Sequence, residues 1–171
     1  MNTANKITTA RVILIPVFVG LCYAGLKWAA LAVFLLASLS DFADGYIARH
    51  YNQITDFGKF LDPIADKLLV TSAMLLFVEQ GRMPAWVLLL VIGREFAVSA
   101  LRLVAVDNGR VIAAGWSGKV KTAATMVVIC VMLVFAIPTL DLVGNGVILV
   151  TTLYSGVEYF AKNKDVINTN K

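Results

Sequence analysis

Long apolar runs alternate with short polar breaks along the whole chain. Each run is about as long as a helix that crosses the hydrocarbon core of a bilayer, roughly 20 residues. Glycine, proline and polar residues fill the breaks, as turns require. The pattern predicts an all-α integral membrane protein with six transmembrane helices, at 8–26, 28–48, 60–79, 84–105, 120–138 and 142–160.

The composition supports a membrane protein and restricts its function. Of the 171 residues, 59% are apolar and 15% are charged, whereas soluble domains have about 25% charged residues. Little sequence lies outside the six apolar segments, so we predict one transmembrane domain over 1–171. The formal charge of +4 is small and scattered, which argues against nucleic acid as a partner and favours contact with anionic membrane lipid.

Lysine and arginine are unevenly divided between the two sides of the predicted bundle. Cytoplasmic loops carry an excess of these residues. With both termini on one side, ten lie there, against Lys27 and Arg82 on the other side. The ten are Lys6, Arg11, Arg49, Lys59, Arg110, Lys119, Lys121, Lys162, Lys164 and Lys171. We predict that both termini and residues 49–59 are cytoplasmic.

Four aspartates form two pairs within the second and third apolar segments. Asp41 and Asp44 are three residues apart, and Asp62 and Asp66 are four apart, so each pair lies on one helix face. A carboxylate in a membrane helix is costly unless it faces a cavity, a charge or a metal. The short connection makes the two helices antiparallel neighbours, and we expect the pairs to converge.

A divalent metal site is the function that these aspartates favour. Ionised carboxylates crowded together repel one another, and bound cations or raised pKa values relieve the repulsion. Oxygen ligands suit Mg²⁺ or Mn²⁺, and four carboxylates suit two such ions. Helix capping explains Asp56 in the loop, but Asp41 and Asp44 lie near a helix C-terminus, where the helix dipole disfavours them.

Two glycines and an arginine beside the aspartates suit a phosphate ligand. Gly45 follows Asp44, Gly58 precedes Asp62 by four residues, and Arg49 lies one helical turn beyond Gly45. The absence of a side chain lets a nucleotide or diphosphate approach the backbone. Close helix packing is an equally good explanation for either glycine alone.

Together these residues form a long spaced pattern. Its two halves are Asp41-x-x-Asp44-Gly45-x-x-Ala48-Arg49 and Gly58-x-x-x-Asp62-x-x-x-Asp66. The pattern resembles the signature of the CDP-alcohol phosphotransferase family. Asn5-x-x-Thr8-x-x-Arg11, Gly93-Arg94-Glu95-Phe96, Gly118-Lys119-Val120-Lys121-Thr122 and Ser155-Gly156-Val157-Glu158-Tyr159-Phe160 are similar to one branch of it, the bacterial phosphatidylglycerophosphate synthases.

The resemblance implies the fold of that family and a specific reaction. The phosphatidyl group of CDP-diacylglycerol is transferred to sn-glycerol 3-phosphate, and CMP is released. The implied enzyme is a homodimer in the bacterial plasma membrane, with its active site facing the cytoplasm. Two Mg²⁺ or Mn²⁺ ions are held by Asp41, Asp44, Asp62 and Asp66, and Asp66 is also the general base. The nucleotide and diphosphate are contacted by Asn5, Thr8, Gly45, Ala48, Arg49 and Gly58.

Basic residues in the second half of the chain are candidates for binding the acceptor. Arg94 and Arg102 lie in one apolar segment, where arginine has no lipid-facing role, and a dianionic phosphate needs cations when it leaves water. We predict that Arg94, Arg102 and Lys119 bind the acceptor phosphate, with Lys121 as a weaker candidate. Both lysines are also explained as anchors at the membrane surface. Glu95 is a candidate partner for Arg102.

Three alternatives remain open from the residues alone. A relative with another acceptor, such as inositol phosphate, serine or phosphatidylglycerol, shares everything except the acceptor site. An ion transporter also places carboxylates within a membrane. A membrane prenyltransferase also binds diphosphate through aspartates. The glycine, alanine and arginine positions of the pattern would have no role in such an enzyme.

Overall fold

The helices occupy most of the chain. A computed structural model describes the backbone of residues 3–50, 56–113 and 115–167, and the side chains of residues 9–40, 64–65, 67–113 and 115–166. Every regular element in these ranges is a helix: α1 Thr3–Tyr23, α2 Lys27–His50, α3 Asp56–Glu79, α4 Ala85–Asp107, α5 Trp116–Val134, α6 Pro138–Lys162 and α7 Lys164–Ile167. The six predicted helices are confirmed, with ends that differ from expectation by at most five residues. The short α7 was not predicted.

Glycines in a left-handed backbone conformation end three of the helices. Gly25 has φ 72°, and both Gly81 and Gly109 have φ 70°. After α1, the Leu26 N–H donates to the Leu21 carbonyl at 3.0 Å, the bond that closes a Schellman motif. Residues with a side chain rarely adopt this conformation, so these turns are fixed by the sequence.

The number of membrane spans is supported only in part. Within the described residues, α5 and α6 are long and apolar enough to cross a membrane. Helix α4 carries Arg94, Glu95 and Arg102 along its length. The described parts of α1 and α2 contain shorter apolar segments, Thr9–Tyr23 and Lys27–Ser40. Six long helices are therefore present, but six transmembrane helices are not confirmed.

The chain divides into two compact units, Met1–Glu79 and Gln80–Lys171. In the first unit, α1 packs against α2 and α3, and α2 also contacts α3. In the second unit, α6 packs against α4 and α5, and α7 contacts α4. A single domain over 1–171 stays a prediction.

Aromatic and small side chains form the core of the first unit. The rings of Phe18 and Phe34 lie 5.6 Å apart between centroids, and both side chains are fully buried. Ala30 and Ala37 of α2 and Ala73 of α3 are also fully buried. These small residues let the helices approach closely, as in membrane helix packing.

An ion pair joins the start of α6 to the turn before α4. Arg82 donates to both carboxylate oxygens of Asp141, at 2.9 and 2.6 Å, and to the Phe135 carbonyl at 2.7 Å. The Asn145 amide donates to the Arg82 carbonyl at 2.9 Å. This two-pronged geometry is the strong form of an arginine–carboxylate pair. The charge of Arg82, which we expected in an outer turn, is thus balanced by Asp141.

Two residues that we assigned to cytoplasmic loops are buried within helices. Arg11 lies in α1 with 1% of its surface exposed, and Lys121 lies in α5 with 4% exposed. Neither residue is a surface anchor, so neither counts toward the excess of lysine and arginine from which the orientation was predicted. The remaining basic residues on that side still outnumber Lys27 and Arg82.

Close packing of α5 and α6 depends on Gly144. A Cβ at this position would lie 2.7 Å from Cγ1 of Val128. Valine is stiff in a helix because its branched Cβ permits one main rotamer, so Val128 has little room to move aside.

Gly144→Ala should therefore lower the free energy of unfolding by about 1–3 kcal/mol, the usual cost of overpacking. Gly146→Ala is the matched control, because a Cβ there meets nothing within 4 Å and alanine favours a helix by about 1 kcal/mol. Thermal unfolding of the purified variants in one detergent measures the difference. Equal midpoints for the two variants would contradict this account of α5–α6 packing.

Candidate active site

On α2, the first aspartate pair is in register with a row of buried residues. Phe34 and Ala37 are fully buried, and Ser38 is 8% exposed. Asp41 follows Phe34 by seven residues and Asp44 follows Ala37 by seven. Seven residues are two helical turns, so the positions of Asp41 and Asp44 are in register with Phe34 and Ala37 along one side of α2.

On α3, the second aspartate pair is also in register with buried residues. Ala65 and Leu69 are 0% and 1% exposed. Asp62 and Asp66 each precede one of them by three residues, which places all four positions on one side of the helix. Since α2 and α3 contact each other in this unit, the two aspartate pairs lie on packed helices.

Many of the predicted site residues have side chains outside the described residues. They are Asn5, Thr8, Asp41, Asp44, Ala48, Arg49, Asp62 and Asp66, and Gly45 and Gly58 also fall outside those ranges. Among the described side chains, no group of three or more histidine, cysteine or acidic residues could hold a metal ion. The metal and nucleotide sites therefore stay predictions, supported by the helix faces on which the residues lie.

A partly buried ion cluster joins α4 to α5 in the second unit. One oxygen of Glu95 accepts from Arg94 Nη1 at 3.0 Å and from Lys121 Nζ at 2.7 Å. Lys121 is 4% exposed, and the Arg94 side chain is 12% exposed. Two cations share one carboxylate, so the three ionised side chains carry a net charge of +1. Lys121 is therefore not a surface anchor.

Arg94 passes between two glycines on neighbouring helices. A Cβ at Gly118 of α5 would lie 3.4 Å from Arg94 Nη2, and one at Gly156 of α6 would lie 3.4 Å from Arg94 Cγ. The guanidinium Nε is buried and has no hydrogen-bond partner among the described residues. Both glycines are part of the family-like motifs, but sequence reasoning gave neither of them a role.

Arg102 lies against Tyr159 of α6, and not against the expected Glu95. Its Nε donates to the Tyr159 hydroxyl at 2.9 Å, and its guanidinium carbon lies 5.4 Å from the centre of the tyrosine ring. Within the described part of the chain, its two terminal nitrogens donate to no protein group. Lys119 is exposed at the start of α5 and makes no ion pair with the described residues.

Comparison with known proteins identifies the family. The sequence profile of the CDP-alcohol phosphatidyltransferase family matches residues 1–157. The chain belongs to this family. It is 40% identical to a CDP-diacylglycerol--glycerol-3-phosphate 3-phosphatidyltransferase of Bacillus subtilis, over 99% of this chain and 98% of that protein. A protein of the same name from Shigella flexneri is 40% identical over 94% of this chain and 93% of its own length.

A third relative extends the similarity to another group of bacteria. A probable phosphatidylglycerophosphate synthase of Mycobacterium tuberculosis is 37% identical over 94% of this chain and 81% of its own length. Members of the CDP-alcohol phosphatidyltransferase family are membrane transferases of phospholipid synthesis, so the ion-transporter and prenyltransferase alternatives are not supported. Tyr159, the partner of Arg102, lies just beyond the family match.

Proposed function

We propose that this family member transfers the phosphatidyl group of CDP-diacylglycerol to sn-glycerol 3-phosphate, giving phosphatidylglycerophosphate and CMP. The observation that carries the proposal is nearly full-length identity of about 40% to bacterial proteins with the name of this activity. The aspartate signature in α2 and α3 supplies the residues that the transfer requires.

Two divalent cations, Mg²⁺ or Mn²⁺, fit the aspartates that we assign to binding of the lipid donor. Asp41, Asp44, Asp62 and Asp66 offer only oxygen ligands, which these cations prefer. Their positions are in register with buried residues of two contacting helices, and unbalanced carboxylates in such helices would be costly. Bound there, the cations neutralise the charge that builds on the diphosphate during transfer.

The transfer itself is a displacement at the β-phosphorus of CDP-diacylglycerol. The acceptor hydroxyl oxygen forms a bond to this phosphorus, and the bond from phosphorus to the CMP oxygen breaks. Asp66 takes the hydroxyl proton as general base. We assign Asn5, Thr8, Gly45, Ala48, Arg49 and Gly58 to contacts with the nucleotide and diphosphate.

The acceptor phosphate is bound by the basic residues of the second unit. Arg102 and Lys119 have donors that no described residue uses, which suits direct contact with the phosphate. Arg94 and Lys121 share Glu95, and their cluster adds one net positive charge. An arginine held by a tyrosine presents its guanidinium in a fixed direction, which favours two-pronged binding of phosphate.

Release of CMP from CDP-diacylglycerol by the purified protein tests the function directly. We expect release with sn-glycerol 3-phosphate and Mg²⁺ or Mn²⁺, and none in excess EDTA, because carboxylates without cations cannot hold a diphosphate.

Asp66→Asn should bind CDP-diacylglycerol and release no CMP. Release with inositol phosphate, serine or phosphatidylglycerol in place of glycerol 3-phosphate would assign another acceptor.

Arg102→Ala should raise the KM for glycerol 3-phosphate by about 30-fold, since one lost cation at a dianion costs about 2–4 kcal/mol. The KM for CDP-diacylglycerol should change little. Tyr159→Phe removes the hydrogen bond that directs Arg102 and keeps the ring, so its effect on the acceptor KM should be smaller. Steady-state kinetics with each substrate varied in turn measure these values.

Arg110→Ala is the matched control for this substitution. Arg110 lies just beyond the C-terminal end of α4 and pairs with Asp165 of α7 on the protein surface, where the guanidinium lowers the pKa of the Asp165 carboxyl. Its loss should leave both KM values within about twofold of wild type. A rise confined to the CDP-diacylglycerol KM in Arg102→Ala would place Arg102 outside the acceptor site.

We further propose that both termini and the segment 49–59 face the cytoplasm, because the basic residues favour that side. A single cysteine at Asn52 or Asn168, in a variant without Cys22 and Cys130, should be protected from an impermeant thiol reagent in intact cells. Labelling from outside would reverse the orientation and the side of the active site. A homodimer, which the resemblance implies, stays a prediction.

A further inference from the structure

Arg11 is a deeply buried charge that the proposed reaction does not use. It is 1% exposed, the lowest value of any charged residue in the described part of the chain. Ile15 and Phe18 follow it by four and seven residues and are also buried, so all three lie on one face of α1. This face packs inside the first unit.

A buried guanidinium requires negative charge nearby. Arginine stays protonated in proteins, and an ion removed from water without compensation costs several kcal/mol. Among the described side chains of the first unit, the only carboxylate is Glu79, which accepts from the Tyr23 hydroxyl at 2.7 Å. Tyr23 is twelve residues from Arg11, which is about 18 Å along the helix. Glu79 is therefore too far away to balance Arg11.

The contact between α1 and α2 places Arg11 at the level of the first aspartate pair. These helices are joined by a three-residue turn and run in opposite directions. Phe18 and Phe34 lie side by side. Seven residues before Phe18 is Arg11, and seven residues after Phe34 is Asp41. Because the two helices are antiparallel and rise equally per residue, Arg11 and Asp41 lie at the same height along the helix axes.

The contact between α1 and α3 gives the same height independently. Tyr23 and Glu79 end their helices and are bonded to each other, so α1 and α3 run in the same direction. Twelve residues before Tyr23 is Arg11, and twelve before Glu79 is Lys67, the neighbour of Asp66. Two separate contacts thus place Arg11 level with both aspartate pairs.

We propose that Arg11 is a positioning residue whose fixed positive charge balances the four aspartates before the divalent cations bind. The inference rests on the metal site of the proposed function. Carboxylates on packed helices repel one another when the cations leave, and a buried cation at the same level offsets part of that repulsion. Because it competes with the metals for the same negative charge, Arg11 also weakens their binding and lets them exchange.

Thermal unfolding with and without Mn²⁺ tests the proposal without any substrate. Arg11→Met keeps the length of the side chain and removes its charge. In EDTA, the unfolding midpoint of Arg11→Met should fall well below that of wild type, and in Mn²⁺ it should recover. The rise in midpoint caused by Mn²⁺ should therefore be at least about 3 °C larger in Arg11→Met than in wild type. Mn²⁺ should also bind Arg11→Met roughly tenfold more tightly. An equal Mn²⁺ effect in the two proteins would overturn the proposal.

Ile15→Ala is the control for loss of packing. Ile15 lies one turn further along the same buried face, and its truncation leaves a cavity without changing any charge. Its midpoint should fall by the same amount in EDTA and in Mn²⁺. Arg11→Lys keeps a positive charge and should show the wild-type response to Mn²⁺.

A double variant in which two opposite charges are removed tests the proposal if Arg11→Met does not fold. Removing one aspartate charge should reduce the need for the arginine, so Arg11→Gln combined with Asp41→Asn should be more stable in EDTA than Arg11→Gln alone. A double variant that is less stable than Arg11→Gln would refute the inference. Failure to release CMP with glycerol 3-phosphate would refute the proposed function alone, since these unfolding measurements contain no lipid substrate.

Discussion

Charged side chains buried among apolar helices impose the strictest constraint on this protein. In a medium with little water, an unbalanced charge costs several kcal/mol, whereas a paired one is tolerated. Asp141 is paired with Arg82, and Lys121 with Glu95. The first pair joins residues 59 apart in the sequence. Each such pair therefore fixes where one helix meets another, which non-directional apolar contacts cannot do alone.

Two glycines border the long charged side chain of Arg94 in the second unit. Arg94 crosses from α4 to the surfaces of α5 and α6 at Gly118 and Gly156. A methyl group at either position would be in van der Waals contact with the arginine, at the close limit of ordinary packing. Gly118 and Gly156 therefore border Arg94 directly, a contact that their positions in the sequence did not indicate.

The sequence predicts the helices well because the membrane restricts the alternatives. Backbone groups in lipid must be bonded within the helix, so apolar runs and glycine turns such as Gly25 set the elements. The burial of Arg11 and Lys121 was missed because counting charges along the chain cannot show which helix face carries them. The partner of Arg102 was missed because Tyr159 is 57 residues away, and only helix packing brings them together. The four residues of α7 are too few for any periodic signal.

The proposed function assigns metal-binding carboxylates to the lipid donor and basic side chains to the acceptor. The reaction explains this difference. The diphosphate of the lipid donor changes its bonds and gains charge as CMP leaves, so cations held by the proposed aspartates would stabilise the transition state more than the bound substrate. The phosphate of the acceptor keeps all its bonds throughout. In the acceptor-binding role that we propose for it, Arg102 would hold this phosphate equally before and during transfer, and would contribute to binding and orientation. The proposal therefore assigns metal-held carboxylates to the phosphate whose bonds change, and fixed cations to the phosphate whose bonds do not change.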